Sequence, residues 1–196
     1  MRGKLHELYV VVHQRNPKQA YEQTRNALSA GADGVFLINH YGPGATLFDT
    51  VDMIRDGLGR APWVGINLLD LGALQAAKTL VSHPLADEID GLWTDNAGVV
   101  EINETGNQPF LKEVDDALTP WWGRYFGGVA FKYQRRVDDL EAAARIGAHY
   151  LDVVCTSGEG TGHAADLEKL RRIREGAGDG NLVAVASGVS ADNIVE

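Results

Sequence analysis

The chain has 196 residues, of which 44% are hydrophobic, and its formal net charge is −9. This length predicts one domain over residues 1–196, and the acidic charge argues against nucleic-acid binding because it repels a phosphate backbone. With the single cysteine Cys155 and no apolar run near the ~20 residues of a membrane span, we expect a cytoplasmic protein with no disulfide, no cysteine zinc cluster and no membrane contact.

Apolar, β-rich runs alternate with helical stretches along the whole chain. Such alternation predicts βαβ units and a parallel sheet. Near-continuous apolar runs are typical of strands that are covered on both faces. The predicted strand and helix pairs are 8–14 with 17–31, 33–40 with 46–59, 62–69 with 71–83, 89–95 with 109–118, 125–134 with 136–147, and 150–158 with 165–178, followed by a strand at 181–188 and a helix that opens at 190.

Two parallel architectures fit this alternation. A doubly wound sheet usually has five or six strands, whereas a (β/α)8 TIM barrel has eight. Seven strands spaced by about 25–30 residues favour an α/β fold of the barrel type, ending before its last helix and eighth strand. Either the chain is truncated there or the eighth position is filled in another way.

Three glycines at alternate positions, Gly158, Gly160 and Gly162, follow the predicted sixth strand. They do not form a P-loop, because His163 and Ala164 follow the last glycine where a P-loop has lysine and then serine or threonine. Their spacing also differs from the dinucleotide fingerprint, and the next strand does not end in the required acid.

The next predicted turn contains Ser187, Gly188 and Ser190 ahead of a helix. In many barrels the loop after strand seven and the following helix N-terminus bind a phosphate, since free backbone N–H groups and the helix dipole both favour an anion. We therefore predict that these residues and the three glycines form an anion cradle for a phosphate. The alternative is that both segments are only tight turns.

Polar side chains end all seven predicted strands, and chemistry in a barrel lies at these carboxyl ends. A lysine there can form a Schiff base, act as a base or hold an anion, an aspartate can be an acid, a base or a metal ligand, and a histidine can carry a proton. The alternatives are a solvated lysine, an Asx turn and a hydrogen-bonded histidine. The predicted catalytic residues are Lys132, Asp95 and His13, and the predicted substrate-binding residues are His40, Asn67, Thr156 and Ser157.

Other features bear on ligands and assembly. No local spacing of two histidines and a carboxylate predicts a metal, and we expect no cofactor. The long segment 94–110 is typical of a lid or binding loop. Trp121 and Trp122 are expected to pack under a helix or at a subunit contact, so homo-oligomerisation is left open.

Several segments resemble the BtpA family of (β/α)8-barrel proteins, named for a role in photosystem I biogenesis. They are "DVVCTSGEGTGHAADLEKLRRIREGAGDGNLVAVASGVSADNI" (152–194), "GADGVFLINH" (31–40) and "FKY" (131–133). The resemblance implies the barrel fold more than a reaction, because the family's chemistry is poorly defined. The Ser-Gly-Val-x-x-x-Asn turn is also similar to the phosphate turn of phosphoribosylanthranilate isomerase and related barrels.

The sequence thus predicts an enzyme-like BtpA-type barrel that binds a small phosphorylated sugar, nucleotide or related anion. Lys132, Asp95 and His13 would perform lyase-, isomerase- or aldolase-like proton or carbonyl chemistry. One alternative is a non-catalytic assembly or regulatory protein that keeps the barrel. Another is a metal-dependent lyase or hydrolase that uses His13, His40 and Asp95.

Overall fold

The computed structural model describes residues 6–101 and 108–194. The chain divides into two compact units. The first unit comprises Met1–Trp93 and Pro120–Gly123, and the second comprises Thr94–Thr119 and Arg124–Glu196.

The first unit contains parallel strands in chain order, each joined to the next by a helix or helical turn. The second strand is buried along its whole length, as expected for a strand covered on both faces. The strands are β1 (Tyr9–His13), β2 (Gly34–Ile38), β3 (Trp63–Asn67) and β4 (Gly91–Thr94, whose last residue opens the second unit), and the helices are α1 (Pro17–Ser29), α2 (Thr46–Leu58), α3 (Ala73–Val81) and a short 3-10 helix (Ala86–Glu88).

Local sequence explains where the first helices begin and end. The Asn16 side chain accepts a hydrogen bond from the Gln19 N–H at 2.9 Å, and Pro17 occupies the first helical turn. A proline is tolerated there because its missing N–H would have no helical partner. Helix α2 ends at Gly59, whose φ of 72° suits a residue without a side chain.

An aromatic cluster occupies one face of strands β2 to β4, and glycines make room for it. A Cβ atom on Gly65 would lie 2.3 Å from the Phe36 ring, and one on Gly91 would lie 2.3 Å from the Trp63 ring. The Phe36 ring meets Trp63 and Trp93 edge-on, with centroids 5.0 and 5.5 Å away. Edge-to-face pairs at this distance are favourable, so the glycines serve packing rather than chain flexibility.

The second unit repeats the alternation with three parallel strands in chain order. Asp139 and Asp166 cap its last two helices by accepting from the backbone N–H groups of Ala142 and Lys169. Its strands are β5 (Arg124–Gly128), β6 (Val153–Ser157) and β7 (Leu182–Ala186), and its helices are α4 (Gln108–Leu118), α5 (Leu140–Tyr150) and α6 (Leu167–Ala177).

The two tryptophans before β5 take different positions. Trp121 is buried in the first unit, and its indole N–H donates to the carbonyls of Ala86 and Ile89 at 3.1 and 3.2 Å. Trp122 is 55% exposed, and the Arg60 guanidinium lies 5.4 Å from its ring centroid. The predicted packing role therefore holds for Trp121.

The α/β class and the parallel strands in chain order are confirmed within each unit. This order of elements fits a partial (β/α)8 barrel, and the part of the chain that the structure describes contains seven strands and no eighth. None of the described helices is both long and apolar enough to cross a membrane.

Three predicted boundaries were wrong. Strand β5 ends at Gly128 rather than at 134, because Ala130 turns into a left-handed conformation with φ 49°. Helix α5 begins at Leu140, four residues after its predicted start, where Asp139 caps it. The predicted helix after β7 is a turn over residues 191–194, and residues 195–196 lie outside the described part.

Candidate functional site

In the first unit, buried amide side chains follow the carboxyl ends of β1 and β2. The Gln14 amide donates to the carbonyl and the hydroxyl of Thr46 at 3.0 Å, and it accepts from the Thr50 hydroxyl at 2.6 Å. The Asn39 amide donates to Asp70 Oδ1 and accepts from the Leu69 N–H, both at 2.8 Å. These side chains tie the strand ends to the loops that follow them.

The Asp70 carboxylate belongs to this network. Burial raises the pKa of Asp70, but hydrogen bonds from the Gly44 N–H and the Asn39 amide outweigh that effect and hold the pKa below its usual value. Asn67, predicted to bind substrate, is only 1% exposed at the end of β3. Its substrate role stays a prediction.

The predicted residues His13 and His40 lie together at the ends of β1 and β2. Both are exposed, and their ring centroids are 4.7 Å apart at an angle of 41°. The Tyr41 ring lies 6.2 Å from His40, and the Arg15 guanidinium lies 5.0 Å from the Tyr41 centroid. The structure thus pairs the two histidines beside an aromatic and a cationic side chain.

In the second unit, the charges of Asp95 and Lys132 shift the pKa of the buried Cys155 thiol in opposite directions. Burial raises the pKa of Cys155, the Asp95 carboxylate raises it further, and the Lys132 ammonium lowers it. Asp95 follows β4 and Lys132 follows β5, and both side chains are partly exposed. The turn that holds Lys132 also contacts Asp95, because the Gln134 amide donates to the Asp95 carbonyl oxygen, and the catalytic roles of both residues stay predictions.

Lys132 lies in a strained turn between two left-handed residues. Ala130 has φ 49° and Tyr133 has φ 62°, a conformation that is uncommon for residues other than glycine and costs free energy. The Lys132 N–H donates to the Ser157 hydroxyl at 2.8 Å, and its ammonium lies 5.6 Å from the centroid of the Phe131 ring. The hydrogen bond to Ser157 thus fixes the backbone of Lys132, and the ammonium lies near the Phe131 ring.

The loop after β4 lies directly on β5. The Ala97 N–H donates to the Gly128 carbonyl at 3.2 Å, and a Cβ atom on Gly128 would lie 1.8 Å from the Asp95 carbonyl oxygen. An Asx turn in this loop is made by Asn96, which accepts from the Gly98 N–H at 2.8 Å. The predicted lid includes residues 102–107, which lie outside the described residues.

An ion pair that the sequence analysis missed, buried at the Glu101 side chain and exposed at Arg135, joins this loop to the Lys132 turn. The Glu101 carboxylate, 5% exposed, pairs with the Arg135 guanidinium and accepts from the Asp138 N–H at 3.0 Å. Hydrogen bonds from Arg135 lower the pKa of Glu101 to about 2. The two residues are 34 positions apart, so no local motif signals the pair.

Replacing Glu101 with glutamine should lower the free energy of unfolding by about 1–3 kcal/mol at pH 7. Because folding lowers the pKa of Glu101 from 4.5 to about 2, its contribution is complete above pH 4.5 and is lost as the pH falls towards 2. Urea unfolding of both proteins across this range measures the effect. Glu22→Gln, at an exposed position of α1, is the control, and an equal effect of both substitutions at pH 7 would contradict the prediction.

Cys155 should react with a thiol reagent only after unfolding. It is the chain's one cysteine, it is 3% exposed, and burial raises its pKa, so the native protein offers neither access nor thiolate. The absorbance change with a disulfide reagent, measured with and without urea, tests this. Stoichiometric labelling of the native protein within minutes would show that β6 is open.

The two glycine-bearing turns lie side by side, as predicted, but they bind each other. The Gly162 N–H donates to the Ser187 hydroxyl at 2.9 Å, and the Ser190 N–H donates to the Asn193 side chain at 2.8 Å. A Cβ atom on Gly188 would lie 2.2 Å from the His163 carbonyl oxygen, so that glycine is needed for the close approach of the turns. Two N–H groups of the predicted anion cradle are thus used within the protein.

The remaining predicted residues of β6 and its turn support the backbone. The side chains of Thr156 and Ser157 are fully buried. The Ser157 hydroxyl donates to the Gly158 carbonyl at 2.9 Å, and the Gly160 carbonyl accepts from the His163 N–H at 3.1 Å. Their roles in binding a ligand stay predictions.

Comparisons with known proteins identify the fold. No protein-family model and no curated protein matches the chain. A mandelate racemase/muconate lactonizing family protein from Azoarcus sp. EbN1 has a TM-score of 0.65 and 18% identity over 94% of this chain and 44% of its own. An enolase from the Sargasso Sea environmental genome has a TM-score of 0.63 and 11% identity over 94% and 45%.

A third neighbour is the dipeptide epimerase from Cytophaga hutchinsonii, complexed with Mg and the dipeptide D-Ala-L-Val. It has a TM-score of 0.62 and 12% identity over 95% of this chain and 46% of its own. The chain spans less than half the length of all three neighbours. At these identities, the likeness concerns the fold alone.

These comparisons correct two predictions. The BtpA resemblance is wrong, because no match supports it and the structural neighbours are racemase, epimerase and enolase proteins. The predicted function as a BtpA-type protein that binds a phosphorylated ligand is wrong for the same reason. The resemblance rested on residues 152–194, 31–40 and 131–133, and within the first of these the structure shows that N–H groups of the two turns bind the side chains of Ser187 and Asn193.

Proposed function

We propose that this chain is the barrel of an isomerase- or lyase-type enzyme that transfers a proton at a carbon atom next to a carboxylate or carbonyl group. Asp95 and Lys132 form the acid–base pair. The observation that carries the proposal is that the two residues follow successive parallel strands and that the Gln134 amide, in the turn that holds Lys132, donates to the Asp95 carbonyl oxygen. Carboxyl ends of parallel strands are where barrel enzymes hold their catalytic groups.

The chemistry needs two groups with opposite tasks. The Asp95 carboxylate accepts the proton from carbon, and the Lys132 ammonium stabilises the negative charge that develops on the neighbouring oxygen. The ammonium can then return a proton to carbon, after which Asp95 releases its proton to water and the Lys132 amine takes one up, so that both groups regain their starting charge. The ring centroid of Phe131 lies 5.6 Å from the Lys132 ammonium, within the range of a cation–π attraction.

The strained turn supports this assignment. Residues held in left-handed conformations cluster at functional sites, where the surrounding structure outweighs their cost. The structure records three such non-glycine residues, namely Ala130, Tyr133 and Ser187, and all three follow strands of the second unit. Two of them flank Lys132 at close range.

The neighbours' names support the reaction class. Racemases and epimerases invert a carbon centre, and one neighbour is described with a dipeptide. A dipeptide carries a carboxylate next to a C–H bond, which is the group that a carboxylate base and an ammonium can handle. We therefore place dipeptides and other small carboxylic acids first among substrates.

The magnesium of that epimerase does not fit the residues described here. Magnesium binds carboxylate oxygens in octahedral geometry. Among residues 6–101 and 108–194, no group of three or more His, Cys, Asp or Glu side chains could hold a metal ion. The acid–base pair is therefore assigned without any step through a metal.

Proton exchange with solvent tests the proposal. The protein is incubated in D2O with dipeptides, 2-hydroxy acids and sugar acids, with and without Mg²⁺, and NMR follows loss of the C–H signal next to the carboxylate. We expect exchange with at least one compound class, and none after Asp95→Asn. No exchange across the panel, or equal exchange by the variant, would overturn the proposal.

A further inference from the structure

Lys169 occupies an unusual environment at the start of α6. Its ammonium donates to the carbonyl oxygens of Ala130 and Ser157, both at 2.6 Å. Burial lowers the pKa of Lys169, and Glu159 raises it. A lysine ordinarily keeps its ammonium in water or beside a carboxylate, so two backbone carbonyls as its direct partners indicate a specific task.

The two carbonyls belong to residues that hold the Lys132 turn in place. Ala130 is the left-handed residue two positions before Lys132, and the Thr156 hydroxyl adds only a long contact of 3.5 Å to its carbonyl. Ser157 supplies the hydroxyl that accepts the Lys132 N–H, and its own carbonyl binds Lys169. The Lys169 ammonium thus binds both residues, Ala130 and Ser157, that hold the Lys132 turn in place.

The position of Lys169 is itself fixed. Its backbone N–H donates to the Asp166 side chain at 3.0 Å, which caps α6. The capped first turn of α6 therefore fixes the backbone of Lys169, from which the side chain extends to the ends of β5 and β6. Such a rigid base is what a residue needs if it is to impose a strained conformation elsewhere.

We propose that Lys169 is a positioning residue that holds the turn after β5 in its left-handed form and so determines where the Lys132 ammonium lies. The inference rests on the proposed function for the catalytic role of Lys132. The placement of the Lys132 side chain by Lys169 is a separate claim and can be measured without any substrate.

The experiment compares Lys169→Met, Lys169→Gln and the double variant Lys169→Met with Ala130→Gly. The first readout is the rate at which an amine reagent labels Lys132, measured by mass spectrometry, with exposed Lys112 as internal reference. The second is kcat and KM for the D2O exchange reaction. The third is the unfolding midpoint in urea.

We expect Lys169→Met to change labelling of Lys132 several-fold, to leave Lys112 unchanged and to lower kcat at least 10-fold with little change in KM. Lys169→Gln keeps a hydrogen-bond donor without the charge. Its labelling rate and kcat should therefore lie between those of the original protein and those of Lys169→Met. Adding Ala130→Gly should recover part of the labelling rate and of kcat, because glycine adopts the left-handed conformation without help.

Three outcomes would overturn the inference: a lower unfolding midpoint with unchanged Lys132 labelling, no rescue by glycine, or an equal change in Lys112. If Lys169→Met does not fold, the same labelling comparison with Lys169→Gln tests the inference. If no compound exchanges its proton, the proposed function fails, whereas the labelling result still supports or overturns the positioning role.

Discussion

Replacing Lys132 with methionine should lower the rate of C–H exchange at least 100-fold. General acid–base groups contribute about 10²–10⁴-fold to such reactions, and methionine keeps the length of the side chain while removing its charge. Because the Lys132 backbone is held by Ser157, the turn should persist in the variant. NMR in D2O measures the rate, and urea unfolding checks that stability is retained.

Lys112→Met provides the matched control. Lys112 is 64% exposed on α4 and pairs with Asp116 at 2.7 Å, so its removal deletes one lysine without touching the candidate site. Its exchange rate should equal that of the original protein. A Lys132→Met variant that exchanges as fast as this control would remove Lys132 from the mechanism.

The order of elements could be predicted from the sequence because each strand is a local apolar run and helices α1, α5 and α6 begin at their own capping side chains. The end of β5 could not be predicted from the sequence. "YFGGVAFKYQ" has the composition of a strand throughout, yet the chain turns at Ala130. Its carbonyl binds Lys169, 39 positions away, and only the folded chain brings these groups together.

In the candidate site, too, some features could be predicted from the sequence and others could not. Polar residues at strand ends were visible in the sequence, and the structure joins the segments of Asp95 and Lys132 through the hydrogen bond from the Gln134 amide to the Asp95 carbonyl oxygen. The glycine turns were also expected to be neighbours. Their hydrogen-bond partners, Ser187 for Gly162 and Asn193 for Ser190, could not be assigned from spacing, and these partners use N–H groups that an anion would need.

Arg55 should be the most costly charged residue to remove from the first unit. Its side chain is 8% exposed, and the guanidinium donates to the carbonyls of Glu88 and Pro62 and to the Asp90 carboxylate, the last at 2.7 Å. Asp90 also accepts from the Val64 N–H at 2.7 Å, so the network joins α2 to the starts of β3 and β4.

Arg55→Met should therefore lower the free energy of unfolding by about 3–5 kcal/mol, because it leaves the Asp90 charge and two carbonyls without their cation. Arg60→Met is the control: its side chain is 49% exposed and pairs with Glu88 at 3.0 Å, a contact worth at most about 1 kcal/mol. Urea unfolding at pH 7 compares the two. Equal losses would mean that water replaces the guanidinium, and that the Asp90 network adds no more stability than a surface ion pair.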